Sequence, residues 1–305
     1  MWCAPNRSCS RFCLLVATVL SLLYATASPA SALEWNPKWR KVGLLEGLSL
    51  IPMGGALIAI ELAWPPPEYP RWTGGIFFDG RVRTALVGKS YDVQRTARSI
   101  GDMLFMVGSV LPIVVDVGVT LAVHQEPDIA LQILLIDLQS AAVAGLLSLT
   151  SEHSVGRGRP FVADCQPNGT VLDAQGRPLV NHCSKGYEAK SFYSGHAAAT
   201  MASAGLTCLT HQRLPIFGGG AADVAPCVIM VGVSITTGVS RLVADMHWFS
   251  DVVIGWGIGA LTGYVLPAAI HYGFSNDSAE HSGLQLLPIA TATSEQLQLG
   301  LIGVF

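Results

Sequence analysis

The chain has 305 residues, of which 50% are hydrophobic and only 13% are charged, and its formal net charge at pH 7 is −3. A soluble domain of average composition carries about 25% charged residues, so the composition favours a membrane protein and argues against a disordered chain or a coiled coil. The negative net charge leaves no basic face for a nucleic-acid backbone, and no nucleic-acid partner is expected.

The first 32 residues are typical of a secretory signal. Arg7 and Arg11 precede an apolar run over residues 12–25, and small residues follow up to Ala32. A charged start, a short apolar core and a small-x-small end predict export and cleavage after Ala32. An uncleaved first membrane helix is the alternative interpretation of the same pattern.

Four cysteines follow the predicted signal, namely Cys165, Cys183, Cys208 and Cys227. Export to an oxidising space permits disulfide bonds. Cys165 and Cys183 enclose a polar stretch, which predicts a disulfide that closes this loop. Cys208 and Cys227 are a second candidate pair; a bond between them would place both ends of the helical region in an oxidising space.

Six apolar segments come after the predicted signal, and each is close to the ~20 residues needed to cross a bilayer. They cover residues 42–64, 103–123, 128–150, 195–212, 222–240 and 250–272. Acidic residues interrupt several of them, and charges inside such segments usually face a partner helix. The expected fold class is therefore all-α, a six-helix membrane-type bundle.

The other segments complete the expected domain organisation. Residues 1–32 are the signal peptide, 33–102 an N-terminal helix with a polar loop, 103–272 the helical-bundle domain and 273–305 a C-terminal tail. Leucines alternate at period two in the tail, which predicts a short β-hairpin there.

Polar motifs fall at three joints between the helices. In chain order they are Arg157-Gly-Arg159-Pro, Ser194-Gly195-His196 and Ser-Arg241-x5-His247-x3-Asp251. Because short turns connect the fourth, fifth and sixth helices, all three joints are expected at the same end of the bundle. This end is the expected active site.

The side chains of these motifs suit a phosphoryl group. Arginine offers planar, bidentate donors to phosphate oxygens, and backbone N–H groups of Ser194 and Gly195 would add to an anion site at a helix N-terminus. His247 and Asp251 are four residues apart, so the carboxylate is expected to hold one imidazole nitrogen and leave the other as a nucleophile. His196 can then serve as the general acid.

The order and spacing of the motifs resemble the type 2 phosphatidic acid phosphatase and vanadium haloperoxidase superfamily, in its membrane lipid phosphatase branch, over residues 103–272. The resemblance implies that His247 forms a phosphohistidine, that Asp251 activates it and that His196 protonates the leaving group. It also implies that no metal or other cofactor is needed. The implied phosphate-binding residues are Arg159, Arg241, Ser194 and Gly195, with Arg157 as a further candidate.

Two positions depart from the family's pattern. Tyr193 stands where the family usually has proline, and little consequence is expected. Glu152 stands where the family has a phosphate-binding lysine, so Glu152→Lys is expected to raise kcat/KM by roughly tenfold. Arg157, Lys185 or Lys190 are candidates for the missing positive charge, and pairing of Glu152 with a loop cation is the competing interpretation.

The sequence thus predicts a membrane hydrolase that cleaves a phosphomonoester or a diphosphate, with a phosphorylated lipid as substrate because the motifs lie where apolar helices end. The site is expected to face the periplasm or the exterior, and the oligomeric state is left open. One alternative is a vanadate-dependent haloperoxidase, which shares the anion pocket. Another is a non-catalytic membrane protein with a decayed phosphate site, for which Glu152 is the supporting feature.

Overall fold

The computed structural model describes residues 33–173, 176–273, 285–292 and 297–304; the predicted signal lies outside them. The helices of the described residues are α1 (Leu44–Leu48), α2 (Leu50–Ala63), α3 (Asp79–Leu86), α4 (Tyr91–Ala122), α5 (Pro127–Ser154), α6 (Gly195–Arg213), α7 (Ala221–Val243) and α8 (Phe249–Ala260). Helix α8 continues through π-helical turns at Leu261–Val265 and Ala268–Tyr272.

Within the described residues, five segments are long and apolar enough to cross a membrane. They are α1 with α2, α4, α5, α7, and α8 with its π-helical turns. The sixth helix of the bundle, α6, packs against α4, α5, α7 and α8. The predicted all-α, membrane-type bundle is confirmed, and five spans of this kind indicate a membrane protein.

Small residues allow α8 to approach α6 closely. A Cβ atom added to Gly255 would lie 2.6 Å from the carbonyl oxygen of Ser194, and one added to Gly259 would overlap the carbonyl oxygen of Ala198. Glycine at such a crossing lets two helix backbones approach each other. The N-terminus of α6 is thereby held beside the start of α8, which brings the second and third motifs together.

Helix α4 begins twelve residues earlier than predicted, so that residues 91–102 are helical rather than part of a polar loop. The hydroxyl of Ser90 caps this helix by accepting a hydrogen bond from the Val93 amide, and caps of this type stabilise helix starts. A Cβ atom on Gly101 would overlap the Ser240 hydroxyl. Because of this close contact, the first turns of α4 lie against the end of α7 that carries the third motif.

Residues 155–194 connect α5 to α6 and form a folded cap. It contains 3₁₀ helices at Pro160–Asp164 and Tyr187–Ala189 and an unpredicted antiparallel hairpin of β1 (Thr170–Leu172) and β2 (Pro178–His182). An apolar cluster beneath it includes Phe161, Val171 and Met246. This cluster anchors the cap to the segment between α7 and α8, and so fixes the first motif over the third.

The predicted disulfide bond between Cys165 and Cys183 is present, and so is the second candidate bond, between Cys208 and Cys227. Cys165 and Cys183 are joined within the cap, and Cys208 and Cys227 join α6 to α7. The first bond closes the polar loop at the motif end of the bundle, as the spacing predicted. The second ties two neighbouring helices nearer to their other end.

The contacts divide the chain into a unit that ends at Gly273 and a second unit of residues 274–305. In the second unit, β3 (Gln285–Ala292) pairs antiparallel with β4 (Leu297–Val304), with Leu287 opposite Ile302. The predicted C-terminal β-hairpin is confirmed.

Candidate active site

His247 lies in the segment between α7 and α8, and its side chain is buried. Its Nδ1 atom is 2.7 Å from the carbonyl oxygen of Ser191. A carbonyl only accepts, so Nδ1 carries the proton and Nε2 keeps its lone pair. Burial lowers the pKa of His247 well below its usual range, and the positive charges of Arg159 and Arg241 lower it further. The imidazole is therefore neutral at neutral pH, as a nucleophile must be.

Asp251 does not hold the imidazole as the spacing predicted. Its carboxylate accepts hydrogen bonds from the Ser191 hydroxyl at 2.6 Å and from the Trp248 amide at 3.0 Å. The one-turn argument fails because His247 precedes α8, which begins at Phe249, so the two side chains are not on one helix face. Asp251 instead fixes Ser191, and the carbonyl of Ser191 orients the histidine.

Arg157 also lies elsewhere than predicted. Its guanidinium is fully buried and forms ion pairs with Asp79 and Asp251, and it lies between the rings of Trp72 and Trp248, 4.2 Å and 5.6 Å from their centroids. A guanidinium with two carboxylate partners has little capacity left for phosphate. We therefore place Arg157 behind the site, as a support for Asp251.

Asp79 completes this buried support. Its carboxylate accepts hydrogen bonds from the Ser250 amide and hydroxyl, both at 2.7 Å, besides its ion pair with Arg157. Burial alone would raise the pKa of Asp79, but the hydrogen bonds from Ile76 and Ser250 and the Arg157 guanidinium lower it overall. Asp79 is thus ionised and balances the buried arginine.

Arg159 and Arg241 both present donors near His247. Arg159 donates from Nε to the Tyr187 carbonyl and from Nη1 to the Met246 carbonyl, each at 3.0 Å. Arg241 donates from Nη1 to Asp102 at 2.6 Å, while its buried Nε has no hydrogen-bond partner among the described residues. Buried donors of this kind call for an explanation, and an anion bound between the two guanidinium groups would supply one.

Ser194 and Gly195 form the N-terminus of α6. The Ser194 hydroxyl caps the helix by accepting a hydrogen bond from the Ala197 amide. A Cβ atom on Gly195 would lie 2.6 Å from the Ser148 hydroxyl and 3.2 Å from Oε1 of Glu152. Only glycine fits this approach of α5 to α6. The Ser194 amide donates to the Asp251 carbonyl at 3.1 Å, so of the two amides predicted to bind an anion, the Gly195 amide is the remaining candidate.

His196 pairs with a residue that the sequence analysis had not singled out. Its Nε2 is 3.1 Å from Oδ1 of Asp102, the same oxygen that accepts the hydrogen bond from Arg241. Burial lowers the pKa of His196, whereas the Asp102 carboxylate opposes that effect. One carboxylate on α4 therefore links the proposed acid to a proposed phosphate-binding arginine.

Comparison with known proteins shows which family the chain resembles. Residues 134–274 match the model of the PAP2 superfamily. The predicted family resemblance is confirmed. The matched segment runs from within α5 to the end of α8 and contains all three motifs, whereas Asp102 lies before it.

Two curated relatives match over parts of their length. Phospholipid phosphatase 1 of Rattus norvegicus is 31% identical over 133 residues, which cover 41% of this chain and 47% of that protein. A PA-phosphatase related-family protein of Dictyostelium discoideum is 31% identical over 168 residues, which cover 47% of this chain and 49% of that protein. The chain spans about half the length of the curated relatives it matches.

One solved structure is also similar, that of a transmembrane PAP2-type phosphatidylglycerolphosphate phosphatase from Bacillus subtilis. The match has a TM-score of 0.45 at 16% sequence identity and covers 78% of this chain and all of that chain.

Glu152 lies within the matched segment, at the edge of the site. It is partly buried, it lies close to Gly195, and it interacts electrostatically with Arg159 and Lys190. The two lysines considered as sources of the positive charge that Glu152 lacks both have acidic neighbours. Lys185 pairs with Glu68, and Lys190 lies 4.0 Å from Glu61.

An apolar cavity of about 380 Å³ opens beside the site, between α4, α5 and α6 of the bundle. Glu152, Gly195 and His196 line its polar end, and Phe105 and Leu206 are among the apolar residues along its length. Cavities of this size and character are typical of small-molecule sites. The position of this one connects the polar motifs to the membrane-spanning part of the protein.

Sequence reasoning missed three residues of this arrangement, namely Asp79, Asp102 and Ser191. Asp79 is the first residue of the short helix α3 and Ser191 lies in the cap, and neither carries a spacing signal. For Asp102 a signal existed, because Asp102, Phe105 and Ser109 recur at three- and four-residue intervals and so share one helix face. Extending the helix back beyond residue 103 would have placed Asp102 beside the cavity.

Proposed function

We propose that the protein is a membrane phosphatase that hydrolyses a lipid phosphomonoester or diphosphate through a phosphohistidine on His247. The observation that carries this proposal is the placement of a neutral, fixed imidazole beside two arginines with free donor capacity. Family relationship supports it, since one relative bears the name phospholipid phosphatase.

In the first step, Nε2 of His247 attacks phosphorus and forms a P–N bond as the bond to the leaving oxygen breaks. The hydrogen bond from Nδ1 to Ser191 stabilises the positive charge that develops on the ring. Arg159 and Arg241 donate to the phosphoryl oxygens and stabilise their charge in the transition state. The His196 imidazolium, which Asp102 stabilises, gives its proton to the leaving oxygen.

In the second step, water attacks the phosphorus of the phosphohistidine and the P–N bond breaks. His196 is neutral after the first step and accepts a proton from this water. Inorganic phosphate and free His247 result, and the proton on His196 restores the starting state. The water thus supplies the oxygen and the proton that balance the reaction.

A lipid substrate follows from the position of the cavity. Its apolar wall is continuous with a site that contains phosphate-type donors, so one amphiphile would satisfy both parts. An acyl or prenyl chain in the cavity would place its phosphate near His196. A soluble phosphate ester would leave the apolar wall uncovered.

The active site is proposed to face the periplasm or the exterior, after export through the N-terminal signal. The disulfide between Cys165 and Cys183 supports this orientation because it lies in the cap over the site. Disulfide bonds persist in oxidising compartments and are rare in the cytosol.

The test is phosphate release by the purified protein in lipid–detergent micelles. The panel comprises phosphatidate, phosphatidylglycerophosphate, a polyprenyl diphosphate and lipid A phosphates, with a soluble aryl phosphate as control. We expect a lipid to be hydrolysed well above the aryl phosphate, and His247→Ala to abolish turnover and phosphoenzyme labelling. Peroxide-dependent halide oxidation with vanadate, or no turnover of any lipid, would overturn the proposal.

A further inference from the structure

One face of α4 runs from the proposed phosphate site into the cavity. Phe105, Ser109 and Ile113 line the cavity, and Asp102 contacts His196 and Arg241. Arg98 precedes Asp102 by four residues, and residues four apart in a helix lie on the same face. Arg98 therefore occupies the polar end of this face.

The neighbours of Arg98 are the proposed phosphate-binding residues. Its guanidinium carbon is 6.0 Å from the centroid of the Tyr187 ring, and that of Arg159 is 4.6 Å from the same centroid. Arg98 also interacts electrostatically with both Arg159 and Arg241. Three guanidinium groups thus lie close enough to interact with one another, two of them at the same tyrosine ring.

These three cations are only partly neutralised. Arg241 forms an ion pair with Asp102, and Arg159 is bonded to two carbonyl groups and has Glu152 as its nearby anion. Among the described residues, Arg98 has no carboxylate partner, and its side chain is half-buried. Like charges repel when they are held together, so this arrangement favours a bound anion.

We propose that Arg98 is a third phosphate-binding residue, which donates to the oxygens of the phosphoryl group that Arg159 and Arg241 hold. Arg98 would then supply the positive charge that a lysine at position 152 supplies in the resembling family. The other candidates are less suited, because Arg157 pairs with Asp79 and Asp251, Lys185 pairs with Glu68, and Lys190 lies 4.0 Å from Glu61. The proposal rests on the proposed function, since it assumes a phosphate ester in this site.

The chain offers a matched control on the same helix. Arg95 is exposed and lies beside Tyr91, 6.0 Å from its ring centroid, away from the proposed phosphate site. Both arginines are changed to glutamine, and kcat/KM is measured on the best lipid phosphate. We expect Arg98→Gln to lose roughly 10- to 100-fold, as removal of one charged donor does at a partly open site, and Arg95→Gln to stay within twofold of wild type.

A second measurement separates phosphate binding from folding. Orthophosphate is used as a competitive inhibitor, and its inhibition constant is expected to rise about tenfold in Arg98→Gln, with partial recovery in Arg98→Lys. Melting temperatures in detergent are expected to match wild type. If Arg98→Gln and Arg95→Gln behave alike in an active wild-type background, the inference is wrong while the proposed function stands. An inactive wild type would overturn the proposed function itself.

Discussion

The active site has a closed side and an open side, and they differ in how their charges are balanced. On the closed side, behind His247, the Asp79, Arg157 and Asp251 side chains are at most 1% exposed and pair with one another. On the open side, the side chains of Asp102 and His196 are 50% and 28% exposed. His196 lines the apolar cavity, and Asp102 is hydrogen-bonded to that histidine.

The two sides of the site are therefore expected to have different functions. Buried, mutually paired charges hold Ser191 and hence the orientation of His247, the proposed nucleophile, a geometry that has to be the same for every substrate. The open side has a surplus of positive charge and contacts whatever enters the cavity. Breaking the closed side should therefore damage folding and catalysis together, whereas changing the open side should alter charge-dependent properties of an intact fold.

The largest effect is expected for Arg157→Met on the closed side. The change leaves Asp79 and Asp251 buried without their cation, and removing one member of a buried pair typically costs about 3–5 kcal/mol. We expect a large drop in melting temperature in detergent together with loss of turnover. Lys41→Met is the control, because Lys41 and its partner Asp128 are 48% and 59% exposed and exposed pairs contribute about 0–1 kcal/mol. Equal melting temperatures for the two variants would contradict a supporting role for Arg157.

A smaller effect is expected for Glu152 on the open side. A carboxylate beside the phosphate site repels a dianionic substrate, so Glu152→Lys should raise kcat/KM by roughly tenfold, equivalent to about 1.4 kcal/mol. Glu152→Gln, which removes the negative charge without adding a positive one, should give a smaller gain. Steady-state kinetics on one lipid phosphate compares the three proteins. Activities of both variants well below wild type would mean that Glu152 supports the loop through Arg159 and Lys190.

The pH dependence of kcat/KM should reflect the different roles proposed for His247 and His196. Burial and nearby arginines keep the pKa of His247 well below its usual value, so the nucleophile is lost only at low pH. Burial also lowers the pKa of His196, so the protonated acid is lost as pH rises through a value below about 6.5. The profile of kcat/KM should therefore peak on the acid side of pH 6.5. A maximum above pH 7.5 would contradict this assignment of acid and nucleophile.

The smallest effect is expected for Asp102→Asn. Because the Asp102 carboxylate raises the pKa of His196, its loss should move the alkaline limb of the kcat/KM profile to lower pH and reduce activity at pH 7 by a few-fold. A merely structural role would lower activity equally at all pH values. The pH profile of the variant, measured beside wild type, distinguishes the two.

Much of this arrangement could be predicted from local sequence. Apolar runs of bilayer length gave the helices, the spacing of Ser194-Gly195-His196 and Arg241-x5-His247-x3-Asp251 indicated the site, and Cys165 and Cys183 enclosed an evident loop. Each of these signals lies within a short stretch of chain. Their physical cause is local as well, in helix hydrophobicity, helix capping and loop closure.

The parts that could not be predicted depend on contacts between distant segments. Nothing near Arg157 in the chain indicates that Asp79 and Asp251 will enclose it, and the partner of His247 is a backbone carbonyl, which any residue carries. The early start of α4 was missed because its first turns are polar, yet they pack on α7 at Gly101. Tertiary contact, rather than local preference, decided these positions.

The face of α4 that runs from the proposed phosphate site into the cavity has a defined length. From Asp102 to Ile113 the helix rises roughly 16 Å, and the cavity follows it between α5 and α6. If the substrate is a lipid as proposed, its hydrocarbon chain would contact the protein over that distance, and the remaining methylene groups would lie among the membrane lipids. Activity would then depend on the length of the substrate's hydrocarbon chain up to the length of this face, and longer chains would be hydrolysed equally well.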